Sequence, residues 1–378
     1  MPLVAPAILS GLLLTFTSSM GNFGTAALLG LPTKFYTLST MLYNSMNSRM
    51  PSIAYVLSLI LIGISSIMIY INQKLIGRRK SYATVGGKDA RKTLTALGRW
   101  RVPAAVGVFL FLLISGVIPL FLLIWQSFMQ ENGNYSLSNL TLHYWVGEAK
   151  PQLANGLAGI LRSEQIWKAL ANSLKISLIT ACLTGLIGLL LGYVIARRRT
   201  LWLTRAIEQL SFLPYLIPGI SLASIFLVMF AKPHPPIPAL YGTLSIVVLI
   251  SVVNELPFAT RAGTSSMLQI SGELEEAATI QGASWFQRFR KIIIPISRKS
   301  LVSVFLISFI GTMKEMELII MLITPKTSTL TTLTFSYAEK GYPQYSAASV
   351  LLIIAIILGF YFMAAKWFKA DMTKGIGG

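Results

Sequence analysis

Stretches of about 20 mostly apolar residues, the length that carries an α-helix across a hydrocarbon layer, recur from one end of this chain to the other. They lie near residues 7–29, 53–71, 102–128, 174–196, 212–230, 240–256, 301–323 and 347–363. In water they would present more apolar surface than a soluble core can hide, so the pattern selects a bundle that spans a membrane. Composition agrees: 54% of the 378 residues are hydrophobic and only 12% are charged, about half the charged share of a soluble domain. Lipid offers the backbone no hydrogen bonds, so eight such runs imply an all-α, polytopic membrane helical bundle. Proline and glycine within runs, as at Pro214, Pro218 and Gly219, are tolerated where packing re-satisfies the freed backbone.

Charge orients the bundle. The net charge of +19 comes from 32 Lys and Arg against 13 Asp and Glu. Of the 32, 22 fall in alternate connections and 8 in the connections between them. The basic groups are the 72–101 segment, Arg197, Arg198, Arg199 and Arg205, a cluster from Arg261 to Lys299, and Lys366, Lys369 and Lys374. The richer side is cytoplasmic, which places both termini there. Headgroup anchoring explains the 72–101 linker, and no nucleic-acid role is needed. No basic segment precedes residues 2–14, so the first run is a span and not a signal peptide.

The chemistry-bearing residues are few. Cys182 is the one cysteine, which excludes an intrachain disulfide. His143 and His234 read as loop residues without metal-ligand spacing, so neither a metal nor a cofactor is expected. No Ser/His/Asp or Cys/His arrangement has a frame, no phosphate-binding G-x-x-x-x-G-K-[ST] loop occurs, and the chain does not read as an enzyme.

An internal repeat adds organisation. Residues 2–32 align with 295–325 at an offset of 293, pairing Pro2 with Pro295, Phe16 with Phe309 and Pro32 with Pro325. With one residue dropped the offset becomes 292, pairing Leu38 with Leu330, Tyr43 with Phe335 and Pro51 with Pro343. Four spans precede the second copy within 102–295, and none precedes the first. The expected domains are 1–71, the last two spans of an incomplete first half; 72–101, a basic linker; and 102–378, a complete six-span half. Either the chain is the C-terminal part of a longer two-half protein, or a partner supplies the rest.

Between the sixth and seventh runs, residues 271–296 read SGELEEAATIQGASWFQRFRKIIIPI. Ser271 can cap a helix whose first turn carries Glu273, Glu275 and Glu276. Ala277 and Ala278 favour helix and allow close approach, and Gly282 permits a tight turn or a close helix contact. Trp285, Phe286 and Phe289 offer apolar anchors, and Pro295 marks the start of the next span. On physics alone, this is either a docking element or an amphipathic anchor lying in the interface.

The spacing Glu276-Ala277-Ala278, three residues, Gly282, nine residues, Ile292, one residue, Ile294-Pro295 resembles the coupling loop of permease subunits in bacterial ATP-binding-cassette importers, with Ile294 for the usual leucine. Ala169, Asn172, Ser173 and Leu174 look like the segment opening that family's membrane domain, and Pro214, Pro218 and Gly219 like its proline-broken helix. The paired segments 28–43 and 322–335 are similar to those of the fused two-half ferric-iron permeases. The resemblance implies a MetI-like (type I importer) membrane domain whose coupling residues are Glu276, Ala277, Ala278, Gly282, Trp285 and Pro295. It implies docking on a cytoplasmic ABC ATPase dimer, which hydrolyses the ATP, and delivery by a periplasmic or surface solute-binding protein. Ferric iron is the first substrate class, although Glu317 stands where the Lys-Glu-Leu-Pro pattern has its proline; thiamine, polyamine, sulfate and phosphonate stay open, because in this family the binding protein normally sets selectivity. A non-transporting scaffold and an ion-coupled transporter are the rival classes.

Lys314, Glu315 and Glu317 break the seventh run, and Asn22 holds the matching place in the first copy. Charge within a span is costly and faces a bundle interior or a watery path. These residues either line the translocation path or its gate, or Lys314 and Glu317 pair on one helix face and tie helices together.

Overall fold

The structure, a computed structural model, describes residues 5–77, 97–149, 156–198, 200–233, 235–236 and 238–368. Most of the basic linker lies outside the described residues, as do Pro2, Arg199, His234, Lys369 and Lys374.

Helices account for the apolar runs. The first repeat copy holds α1 (Ala5–Gly21), α2 (Gly24–Gly30), α3 (Leu38–Asn47) and α4 (Pro51–Gly77). Next come α5 (Arg101–Leu112), a π turn at Leu113–Val117, α6 (Ile118–Phe128) and the one-turn α7 (His143–Val146). The middle of the bundle is α8 (Glu164–Arg197), α9 (Trp202–Phe212), α10 (Gly219–Ala231) and α11 (Leu244–Leu268). Short helices α12 (Glu273–Ile280), α13 (Trp285–Arg288) and α14 (Ile294–Ile296) follow. The second copy holds α15 (Arg298–Lys314), α16 (Leu330–Glu339) and α17 (Pro343–Phe368). Among the described residues no strand forms beyond a single bridge between Met129 and Leu140.

Five helices are long and apolar enough to span a bilayer, and three bent pairs bring the number to 8. The bends are where the structure corrects the sequence reading. The first run breaks by 59° after Gly21. The run expected at 212–230 is two helices meeting at 107° around Pro218, whose fixed φ and missing N–H stop α9 from continuing into α10. The run expected at 301–323 is helical only to Lys314, and 315–323 forms turns. His143, expected in a loop, opens α7 and is buried.

The repeat is visible in the elements themselves. Shifting α1 by 293 residues gives the bounds of α15, 298–314, and shifting α3 by 292 gives those of α16, 330–339. Thr37 with Thr40 and Thr329 with Thr332 form equivalent capping boxes, each satisfying backbone donors at a helix start. The copies meet through Phe23, Tyr43 and Phe335, with ring centroids 4.7 to 6.4 Å apart.

Their surroundings differ. Leu322 is 0% exposed in a core shared with Ile220, Ile246 and Ile250, while Leu29, its equivalent in the first copy, is 72% exposed. Leu322→Ala is therefore expected to lower stability by about 2–5 kcal/mol and Leu29→Ala by less than about 0.5 kcal/mol. Denaturation midpoints in detergent check the contrast.

Backbone approach is closest between α8 and α11. A Cβ at Gly188 would come within 2.6 Å of the Ala259 Cβ, and one at Gly192 would overlap the backbone of Gly263 and Thr264. Small residues at this spacing are how helices pack tightly where no hydrophobic drive between them exists.

Candidate functional site

The 271–296 loop is a chain of small helical pieces, the first of which has Gly272, and not the expected Ser271, at its N-cap. The Ser271 hydroxyl accepts the Glu273 N–H at 3.3 Å, and three glutamates in the first turn of α12 face the positive end of its dipole. α12 ends where the Gly282 N–H reaches the Thr279 carbonyl at 2.9 Å and the Ala283 N–H reaches Ala278 at 3.0 Å. That paired cap needs a left-handed residue, and Gly282 sits at φ +79. A Cβ there would meet nothing within 4 Å, so of the two uses open to this glycine the turn is the one realised. Ser284 and Gln287 then form a capping box that starts α13. The Arg288 guanidinium donates to the Thr279 hydroxyl and ties α13 to α12. Trp285 stacks on Phe289 at 5.1 Å, and the edge of Tyr193 on α8 meets both rings. Pro295 lies in α14, just before a 74° turn into α15.

This loop presents one face outward. Glu276, Ala277, Gly282 and Pro295 are exposed, and Ala278 is half-buried. Ile280 is 86% and Phe286 63% exposed, so an apolar tip stands free of the rest of the chain. Glu275, read from sequence only as a first-turn acid, is instead buried and paired with Arg197 at 2.6 Å. Which of two adjacent glutamates turns inward depends on the 100° step of the helix and on what lies beneath. The one cue in the sequence was Arg197, first of a basic run directly after an apolar span.

A second constellation joins the helix breaks of the two copies. Asn22 Oδ1 accepts the Thr25 N–H at 3.0 Å, and Glu315 Oε1 accepts the Leu318 N–H at 3.1 Å, three residues on in each copy. The Ser39 hydroxyl donates to the Asn22 carbonyl at 3.1 Å, and the equivalent Thr331 hydroxyl to the Glu315 carbonyl at 2.8 Å. Asn22 and Glu315 thus play the same part: each ends a helix by offering a side-chain acceptor to the next turn. Glu317 is where the copies differ, since Gly24 is its counterpart. Its carboxylate crosses to the first copy and accepts the N–H groups of Phe23, at 2.9 Å, and Gly24. With Thr17, Ser18, Gly21, Pro218 and Gly219 it lines a cavity of about 180 Å³.

The expected Lys314–Glu317 pairing on one helix face does not form, because α15 ends at Lys314 and Glu317 turns away to the first copy. Lys314 is exposed. Of the residues expected to couple, Glu276, Ala277 and Ala278 lie in α12, Gly282 in the turn after it, Trp285 in α13 and Pro295 in α14. Asn22, Glu315 and Glu317 gather at the joined breaks, and Lys314 is adjacent in sequence only.

Fold and site define a class: a polytopic α-helical membrane domain with a compact, outward-facing loop between its spans. Residues 188–372, just under half of the chain, match the model of the family of binding-protein-dependent transport system inner membrane components. It is similar to a putative ferric transport system permease protein of Haemophilus influenzae, 28% identical over 86% of this chain and 49% of that protein. It is also similar to a putative 2-aminoethylphosphonate transport system permease protein of Salmonella paratyphi A, 26% identical over 68% of this chain and 91% of that one. The chain thus spans about half the length of the ferric relative. In fold it resembles a chain of a bacterial ABC transporter involved in alginate import, with a TM-score of 0.55 at 17% identity over 71% and 96% of the two chains.

Proposed function

We propose that this chain forms the membrane path of an ATP-binding-cassette importer and takes ferric iron presented by a solute-binding protein on the outer face. A separate cytoplasmic ATPase dimer docks on 271–295, and its closure moves that loop and the spans attached to it. The 1–71 and 102–378 segments act as parts of two permease halves related by the internal repeat. The helix breaks around Asn22, Glu315 and Glu317 form part of the path or its gate. The bias of basic residues toward the connections on the loop side supports a cytoplasmic loop and cytoplasmic termini.

The observation that carries this reading is the loop itself: a helix–glycine turn–helix with an exposed apolar tip, within the residues that match a transport family. Ile280 and Phe286 projecting off the protein suit a partner groove, and the capped helix–turn–helix gives that groove a fixed shape to grip. Ferric iron is favoured by the Haemophilus relative; the Salmonella relative makes a phosphonate the second reading.

Ile280→Asp with Phe286→Asp is expected to cut ATPase co-purification at least tenfold while leaving the membrane-inserted amount unchanged. Loss of two central apolar anchors commonly costs a docked interface about 2–4 kcal/mol. Uptake of labelled ferric iron against labelled 2-aminoethylphosphonate, in cells with and without the chain, separates the two substrates.

A further inference from the structure

The roles given so far leave Glu275 unexplained. It is 7% exposed, and its Oε1 accepts the Nε–H of Arg197 at 2.7 Å and lies 2.6 Å from Nη2 of the same guanidinium in an ion pair. Its Oε2 accepts the Tyr193 hydroxyl at 2.8 Å. The same guanidinium donates to the Ile270 carbonyl at 3.1 Å, just past the end of α11. A buried ion pair adds little stability over apolar replacements, so its value here is directional. Two hydrogen bonds and an ion pair through Glu275 hold α12 against the last turns of α8, and the Ile270 bond adds the end of α11.

α8 leads from there to the opposite end of the bundle. Asn172 lies 25 residues back along it, about 38 Å at 1.5 Å per residue. Its amide donates to the carbonyls of Lys326 and Ser328, at 3.1 and 3.0 Å. The neighbouring Ser173 hydroxyl accepts the Leu330 N–H at 2.9 Å. One residue further, Thr331 holds the Glu315 carbonyl at the helix break. Between these ends, Gly188 and Gly192 press α8 onto α11 and leave it little room to flex. A single 34-residue helix is therefore bonded at one end to the loop and at the other to the turns that carry Glu315.

We propose that Arg197 and Tyr193 are positioning residues which clamp Glu275 and make α8 a transmission rod between the surface loop and the 315–331 segment. Loop movement then reaches the bundle through α8 as well as through the covalent ends at α11 and α15. The inference rests on the docking role proposed for the loop, but its test needs no partner.

The test is hydrogen exchange of the full chain in lipid nanodiscs, comparing the unaltered protein with Glu275→Gln, Arg197→Lys and the exposed-site control Glu273→Gln. The first removes the charge but keeps an acceptor for Tyr193, and the second keeps the charge but loses the fork. Both are expected to speed exchange at 273–289 and also at 329–333, by at least about threefold, with α4 and α17 unchanged and the control silent. Faster exchange confined to 273–289 overturns the proposal, because the far end is then uncoupled. Uniform acceleration through α4 and α17 also overturns it, as the clamp is then a general stabiliser. An effect of Glu273→Gln equal to the others does the same. Failure of the docking role shows separately, in ATPase co-purification.

Discussion

Glu317→Leu is expected to destabilise the chain by about 3 kcal/mol, although it removes a carboxylate from the membrane interior. Two effects of opposite sign compete. Removing the charge relieves a burial cost of about 2.5–3.5 kcal/mol on insertion scales, part of which the protein has already offset with hydrogen bonds. Against that, the Phe23 and Gly24 N–H groups lose their acceptor between packed helices, where water cannot replace it. Each orphaned donor costs about 1–3 kcal/mol, and the two copies also lose the bridge that joins their breaks. Glu317→Gln keeps an oxygen in place and is expected to cost about 1 kcal/mol. Denaturation of both variants in detergent checks the order. A leucine variant at least as stable as the parent would show that the bridge does not hold the breaks together.

Gly192→Leu is expected to have an equal or larger effect, about 3 kcal/mol or more, and a sharply lower folded yield. The reason is backbone overlap: any Cβ at 192 lands on Gly263 and Thr264, which belong to a packed helix and cannot rotate away. Gly188 makes the same demand against Ala259. Gly185, three residues from Gly188 on the same helix, has nothing within 4 Å of its would-be Cβ. Gly185→Ala is therefore expected to be neutral or to stabilise by up to about 1 kcal/mol, since alanine favours helix. Monodisperse folded fraction after extraction and thermal denaturation measure the pair. Similar losses from both substitutions would contradict the account, because nothing lies near a Cβ at 185 and the α8–α11 contact would then not explain the loss at 192.

Much of the architecture was legible because lipid leaves few alternatives. A run of about 20 apolar residues must be helical to satisfy its backbone, so the runs were readable from hydropathy alone. The repeat was readable for a different reason: matched prolines and threonines occupy joints where they have fixed conformational or capping jobs, as at Thr37 and Thr329. The breaks were only partly readable: Pro218 marked one, but the point where the seventh run stops being helical did not show. Residues 301–323 are apolar enough to average as one span, yet the Glu315 carboxylate accepts the N–H groups of Met316 and Leu318 and ends the helix locally. A hydropathy window does not register such a contest between side chain and backbone.

The loop divides in the same way. Its caps, its glycine turn and its apolar anchors follow from residue types at fixed spacing. The burial of Glu275, by contrast, needs Arg197 and Tyr193, 78 and 82 residues away, which only the packing of α8 brings into place. The Gly188–Gly192 spacing was a cue in the sequence for that packing. Glu317 gave no cue for its partner, because an acceptor for Phe23 lies 294 residues along the chain.

The central claim is that the 271–296 loop faces the cytoplasm and seats in a nucleotide-hydrolysing subunit. Ile280→Cys, made in a Cys182→Ser background and treated with a short bifunctional thiol reagent in native membranes, tests it most directly. The account predicts one dominant cross-linked product, in which the chain is joined to an ATP-binding-cassette ATPase and which is shielded from an impermeant thiol reagent added outside. Labelling of that cysteine from outside intact cells, or a product set that never includes an ATPase, would contradict it.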